Sequence, residues 1–455
     1  MLILAAAAGT GGYLVTDHVR ADHAATVART APPTPSALAS ATAAPAIASA
    51  APDGQAPRAA AVAAALAQAV AGPALGGRLL AQVVDATSGV ALYNHLGPTP
   101  AAPASTGKLL TAAALLAVRA PTDRLTTNVV AGAAGTVVLV GGGDPTLTGA
   151  PTGQPGAYAG AARISDLATQ VRRALAASHQ TVQRIVVDNS LFAGPTVSPD
   201  WAAEDVPSDY AGAITAVMAD GGRAAPTDGI RSAEPDLAAG AELAAALKVP
   251  GAQVTRGKAP AAAKVLGTVK SATLSDLVGQ MLQASDNVIA EVLARQVAVA
   301  TAKPASFTGA AAAIRAALVK LGVDPGAGMR DGSGLAADDR VSAAALAGVL
   351  RLVVGAKNPA LHAIVTGLPV AAWSGTLANR YLPGSTGARG AGVVRAKTGT
   401  LTAVSSLAGI VHDADGRLIT FAFIADRVPP GVEATRAAEA ALDRVAAILA
   451  GCGCR

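Results

Sequence analysis

Three short polar motifs stand far apart in this 455-residue chain, and their chemistry is of use only if the fold brings them together. The first is Ser105-Thr106-Gly107-Lys108, an S-x-x-K pattern. The second, 180 residues on, is Ser285-Asp286-Asn287, and the third is Lys397-Thr398-Gly399, followed by Thr400. A serine hydroxyl is a weak nucleophile until a neighbouring base takes its proton. Three residues along a helix place Lys108 on the same face as Ser105, within reach of its oxygen. A lysine serves as that base only when its pKa falls, which burial and a nearby cation such as Lys397 bring about.

The other two motifs supply what such a pair lacks. Ser285 offers a hydroxyl that passes a proton between Lys108 and a leaving amine, and Asn287 an amide that holds both the lysine and a substrate backbone. The competing assignment is a helix N-cap at Ser285 or Asp286. Lys397-Thr398-Gly399 fits a strand edge: Gly399 lets another backbone approach closely, Lys397 is a fixed positive charge, and Thr398 and Thr400 are hydroxyl donors suited to a carboxylate. Each motif alone has a plain structural explanation. All three in order, each on a fitting element, form a catalytic constellation.

Hydrophobic periodicity and turn residues place these motifs on an α/β (α+β) frame. An alanine-rich helix is expected over 60–71, then a hairpin with strands over 79–84 and 90–93, then a helix over 106–118. Helical patterns return at 274–282, 290–299 and 310–320, followed by a second hairpin over 405–411 and 418–424 and a last helix over 433–449. Strands that come in hairpins make an antiparallel sheet, assembled here from both ends of the chain. Residues 125–265 differ, with strand candidates at 137–140 and 185–187 among many turn signals, and read as an inserted region. The frame then consists of 59–124 and 266–455. Ahead of it, residues 19–58 are a tether rich in Ala, Pro, Ser and Thr. The apolar run within 1–18 reads as what remains of a signal peptide or signal anchor.

Composition narrows the function classes. Aromatics are 2% of the chain, so the core must be built from Leu, Val, Ile and Ala. A net charge of +5 without a dense basic block argues against a nucleic-acid partner. The six histidines, His18, His23, His95, His179, His362 and His412, show no ligand spacing, and Cys452 and Cys454 sit in the tail. Neither a metal nor a cofactor is expected.

From about residue 60 onward the sequence resembles the class C low-molecular-mass penicillin-binding proteins, the D-alanyl-D-alanine carboxypeptidases/endopeptidases of peptidase family S13. The resemblance is carried by Ala104-Ser105-Thr106-Gly107-Lys108-Leu109-Leu110-Thr111 and Gly141-Gly142-Gly143-Asp144-Pro145-Thr146-Leu147. It continues in Ser285-Asp286-Asn287 with Ala290-Glu291, Asp331-Gly332-Ser333-Gly334-Leu335, Ser374-Gly375-Thr376-Leu377 and Lys397-Thr398-Gly399-Thr400-Leu401. It implies a serine β-lactamase/DD-peptidase-like transpeptidase domain with a large insertion between the first and second motifs. Ser105 would be the acylated nucleophile, Lys108 its base, and Ser285 and Asn287 cleft residues. Lys397, Thr398, Gly399 and Thr400 would bind the substrate carboxylate, and the backbone N–H groups of Ser105 and Thr400 would form the oxyanion hole. The implied partners are peptidoglycan peptides ending in D-Ala-D-Ala and β-lactams, met outside the cytoplasm at the bacterial wall, with a membrane tether through the N-terminus. Gly107 departs from the bulkier residue common at that position. The glycine-rich stretches at 141–145 and 331–334 are taken as structural turns. The rival functions are a β-lactamase, which in class A uses a glutamate in an E-x-x-L-N segment that this chain lacks, and a non-catalytic penicillin sensor or wall-binding module.

Overall fold

The computed structural model describes residues 55–176 and 181–455. The expected signal segment over 1–18, and the tether up to residue 54, lie outside the described residues.

Helix α1 (Ala59–Val70) opens the fold, and strands β1 (Leu79–Asp85) and β2 (Ala91–His95) follow as a hairpin. Strand β3 (Pro100–Ala101) leads through a 3-10 turn, Ala104–Gly107, into α2 (Lys108–Val118). A second group contains β4 (Arg124–Ala131), β5 (Thr136–Val140), α3 (Ile164–Ala176), β6 (Arg184–Asp188), α4 (Pro235–Ala246), β7 (Gln253–Arg256) and β8 (Val265–Thr273). Helices α5 (Leu274–Ala284), α6 (Asn287–Ala300) and α7 (Phe307–Lys320) come next, then β9 (Val341–Ser342), α8 (Ala343–Val354) and α9 (His362–Gly367). The chain closes with β10 (Arg395–Leu401), β11 (Val404–His412), β12 (Leu418–Ala425) and α10 (Val432–Ala450).

The first sheet has the order β10-β11-β12-β1-β2 and is antiparallel throughout. Its β1–β2 hairpin and its β10-β11-β12 meander come from opposite ends of the chain and join where Leu79 faces Ala425. Every residue of β1 and β12 is buried, because helices cover both faces. Alternate residues of β12 therefore enter different cores. Ala422 and Ile424 pack on the side of α2, whereas Phe421 and Phe423 pack on the side of α1 and α10. Helix α2 is apolar all round, and Lys108 to Leu116 are buried, as in the central helix of a large core.

The second sheet, β7-β6-β5-β4-β8, lies in the inserted region, for which the sequence suggested strands but no pairing, and it is mixed. β4 pairs antiparallel with β5 and β8, but β5–β6 and β6–β7 are parallel. Parallel neighbours need a crossover, which α3 and α4 supply while packing on one face of the sheet. Strand β8 continues the layer to Thr273, past the boundary at 265 that composition marked. Contacts from the inserted region to the rest of the chain include Gln296 on α6, which donates to the Gly142 carbonyl (2.9 Å), and Trp201 Nε1, which donates to Asp331 (2.7 Å).

Candidate active site

Ser105 lies not in an α-helix but in the tighter 3-10 turn that precedes α2. At three residues per turn, side chains at i and i+3 eclipse, which favours the pairing that S-x-x-K requires. Lys108 Nζ stands 2.9 Å from Ser105 Oγ. Ser105 is half-buried, and it alone reaches solvent among residues 101–110. Lys108 is completely buried, and its nitrogen also donates to Asn287 Oδ1 (2.5 Å) and the Ser333 carbonyl (2.9 Å). Burial drives its pKa down to about 8, against the opposing pull of the Asp331, Glu291, Asp286 and Asp339 carboxylates.

The second motif occupies the joint between α5 and α6. Ser285 caps the end of α5 in the left-handed region (φ 57°), Asp286 is the N-cap of α6, and Asn287 is that helix's first residue. The helix caps and the contacts to Lys108 and Lys397 thus coexist in one tripeptide. Asn287 reaches Lys108 as expected. Ser285 does not: its Oγ accepts from Lys397 Nζ at 2.8 Å, so the relay to Lys108 foreseen from the sequence is replaced by a contact with the third motif.

That third motif lies on β10, an edge of the first sheet. Lys397 is fully buried, and desolvation, together with the charges of Lys108 and Arg380, pushes its pKa well below the ordinary lysine value. Thr398 Oγ1 donates to Thr376 Oγ1 (2.8 Å) and Thr400 Oγ1 donates to Glu439 Oε1 (2.9 Å), so both hydroxyls are engaged with protein groups. Gly399 serves a nearer neighbour than a substrate: a Cβ there would stand 2.9 Å from both Ser105 N and the Pro103 carbonyl, and 2.3 Å from Ser406 Oγ. The strand is pressed against the turn that carries Ser105, and only glycine permits that approach.

Sequence reasoning missed the segment 331–334, read as a plain turn. Asp331 accepts the main-chain N–H groups of Ser333 (3.0 Å), Gly334 (2.6 Å) and Ala336 (2.8 Å). Glu291, buried on α6, accepts those of Gly332 and Ser333. Its carboxyl is raised to about 7 by burial and by the neighbouring Asp331 charge. Gly334 has φ 78°, and a Cβ there would fall 1.9 Å from the Ala104 carbonyl oxygen. The turn thereby abuts the Ser105 segment on one side and aims the Ser333 carbonyl at Lys108 on the other. The only signal was a glycine-rich stretch, and a main-chain acceptor leaves no mark on residue identity. Thr376, in the Ser374–Leu377 stretch that carries part of the resemblance, also meets the site by accepting from Thr398 Oγ1.

Among the described residues no group of three or more His, Cys, Asp or Glu side chains is placed to hold a metal ion. Cys452 and Cys454 are paired in a disulfide in the C-terminal tail, against α10.

The pattern of the D-Ala-D-Ala carboxypeptidase 3 (S13) family matches residues 62–228 and 224–449. A carboxypeptidase of Mycobacterium tuberculosis is 44% identical over 384 residues, covering 83% of this chain and 81% of its own. The carboxypeptidase DacB of Mycolicibacterium smegmatis is 43% identical over 390 residues, covering 84% of this chain and 82% of its own. The crystal structure of penicillin-binding protein 4 (dacB) from Haemophilus influenzae superposes with a TM-score of 0.66 at 23% identity, over 81% of this chain and 95% of that one, which shows a shared fold.

Proposed function

The chain belongs to the D-Ala-D-Ala carboxypeptidase 3 (S13) family of serine peptidases, and on that premise we propose that Ser105 is its nucleophile and Lys108 the base that activates it. The observation that carries this reading is the 2.9 Å approach of a fully buried, pKa-lowered Lys108 amine to the one solvent-reaching hydroxyl of its turn. The frame over 59–124 and 274–455 houses the peptidase, and the region from 125 to the end of β8 at Thr273 is the insertion.

In this reading the substrate's terminal carboxylate seats against Lys397, Thr398 and Thr400. Its charge favours the protonated form of Lys397. Either threonine donates to it only by exchanging its present bond to Thr376 or Glu439. Ser105 Oγ attacks the D-alanyl carbonyl as its proton passes to neutral Lys108, while the N–H groups of Ser105 and Thr400 meet the developing oxyanion. The C–N bond then breaks. Ser285 gives its proton to the leaving amine and takes one from Lys397 at 2.8 Å. Lys108 is left charged and Lys397 neutral. Attack of water on the ester returns a proton from Lys108 to Ser105 Oγ and delivers the water's proton to Lys397, which restores both lysines. Peptidoglycan stem peptides and cross-links ending in D-alanine are the substrates, and penicillins acylate the same serine. The enzyme acts outside the cytoplasm at the wall, with the N-terminal segment as a membrane tether. Among the described residues no single helix is long and apolar enough to cross a membrane.

The test is intact-mass measurement after exposure to a penicillin, with peptide mapping of the adduct. One penicilloyl group on Ser105, together with D-alanine release from a stem peptide, is the expected result. An adduct mapped to any other residue refutes the assignment.

A further inference from the structure

The middle residue of the second motif touches none of the reacting groups, yet it is the most heavily anchored of the three. One oxygen of Asp286 caps α6 by accepting Ile289 N at 3.0 Å. The other accepts Tyr158 Oη (2.8 Å) and Arg231 Nη2 (3.1 Å), both from the inserted region. Arg231 also donates through Nη1 to the Gly221 carbonyl (2.5 Å). Arg223 donates to Tyr158 Oη (2.9 Å) and lies 5.6 Å over its ring. Arg231 is 3% exposed and Asp286 8%, so this ion pair is withdrawn from water.

A buried ion pair is weak evidence of added stability, because the desolvation of two charges offsets their attraction. What this one does supply is direction. The carboxylate sits at a joint where Ser285 holds a left-handed backbone, φ 57°, that side chains avoid unless surroundings enforce it. One residue before it, Ser285 Oγ meets Lys397 Nζ at 2.8 Å; one residue after it, Asn287 Oδ1 meets Lys108 Nζ at 2.5 Å. Holding Asp286 from outside the peptidase frame fixes both contacts together.

We propose that Arg231 and Tyr158 are positioning residues for the peptidase reaction, through which the inserted region sets the geometry of Ser285 and Asn287. The inserted region contributes no side chain that touches the reacting groups, but it holds in place the joint that carries two of them. The inference rests on the assignment of Ser105 and Lys108 above. Misplacement of a reacting group by about 1 Å costs on the order of a hundredfold in rate, so loss of the clamp should register as slowed acylation.

The test uses the full chain, measuring acylation of Ser105 by a labelled penicillin and the thermal unfolding midpoint in parallel. Arg231→Met leaves a buried carboxylate unpaired and should lower both. Combining it with Asp286→Asn removes that stranded charge while Asn keeps the helix cap. The double variant should recover the unfolding midpoint yet acylate more than about tenfold slower than wild type, an outcome that a purely structural ion pair does not produce. Tyr158→Phe removes the donor to Asp286 and the acceptor of Arg223 but no charge, and should slow acylation severalfold while the protein stays folded. Acylation within about twofold of wild type in the folded double variant, or in Tyr158→Phe where the double variant does not fold, overturns the proposal. If instead the wild-type protein carries its acyl group on a residue other than Ser105, the site assignment itself fails, and this inference with it.

Discussion

The side-chain nitrogen of Lys108 lies 2.9 Å from the main-chain carbonyl oxygen of Ser333, a residue 225 positions further along the chain. A neutral amine has two N–H donors and one lone pair. Asn287 Oδ1 and the Ser333 carbonyl are acceptors only, so they take the two donors and leave the lone pair to face Ser105 Oγ. A protonated lysine would fill all three contacts with donors and have nothing to accept the serine proton. The three contacts accommodate either form, and only the neutral one can act as the base.

This arrangement predicts the pH dependence of acylation. Burial disfavours the ammonium and brings Lys108 to about 8, so the working neutral form is about a tenth of the molecules at pH 7. Acylation by penicillin should rise about tenfold per pH unit below that value and level off above it. An unshifted lysine would keep gaining to beyond pH 10. Rapid-mixing measurements between pH 6 and 10 distinguish the two, and a flat profile would remove Lys108 as the titrating base.

Replacing the base without its charge gives a second check. Lys108→Arg keeps a cation that does not deprotonate in proteins, so acylation should fall by a factor of about 10² or more. Ser105→Ala should abolish penicillin labelling and D-alanine release at an unchanged unfolding midpoint. Near wild-type acylation by Lys108→Arg would be incompatible with the proposed role.

Two neighbouring glycines should respond in opposite ways. Gly107 has helical angles (φ −54°, ψ −28°), and a Cβ there would meet Pro103 and Gly334 at ordinary contact distances of 3.5 and 3.6 Å. Gly107→Ala should stabilise the protein by up to about 1 kcal/mol and leave acylation within about twofold. Gly334→Ala combines φ 78° with a collision against the Ala104 carbonyl. It should cost about 2 kcal/mol or more and slow acylation at least about tenfold, because the turn bearing Ser105 must move. Equal behaviour of the two variants in thermal unfolding would contradict this account.

What the sequence disclosed, and what it withheld, follows physical lines. The hairpins at the two ends carry continuous apolar runs such as Leu418-Ile419-Thr420-Phe421-Ala422-Phe423-Ile424-Ala425, and these are legible as buried strands. The parallel half of the second sheet was not. α4 is alanine-rich from Pro235 to Ala246, so its polar and apolar faces hardly differ in the sequence, and a crossover helix left unread hides the parallel pairing that it makes possible. In the candidate site, the convergence of 105, 108, 285, 287 and 397 was legible because the three motifs stand out by residue type and order. The Ser333 carbonyl and the direction in which Thr398 and Thr400 turn their hydroxyls were not, since main-chain acceptors and hydroxyl rotations depend on packing. The Ser285–Lys397 contact depends on the left-handed turn at 285, which residue type alone does not announce.

The last prediction separates a peptidase from a β-lactamase. Both form an ester on the serine, and both must then admit water. A cleaved D-alanyl peptide loses its leaving D-alanine, which frees space for the water. A penicillin's leaving amine stays tethered to the acyl group and obstructs that approach. Class A β-lactamases overcome the obstruction with an extra carboxylate that activates the water. The two glutamates that contact the site's turn and third motif are already committed. Glu291 is fully buried, with both oxygens accepting main-chain N–H groups of the 332–333 turn, and Glu439 accepts the Thr400 hydroxyl. Neither faces Ser105 as an unoccupied base. The penicilloyl ester should therefore persist for minutes or longer while a D-Ala-D-Ala peptide turns over repeatedly. A deacylation barrier about 4 kcal/mol higher for the penicilloyl ester would slow its release roughly a thousandfold. Both reactions can be followed on one preparation, by mass for the adduct and by D-alanine release for the peptide. Sustained rapid hydrolysis of penicillin without release of D-alanine would reverse the assignment in favour of a β-lactamase.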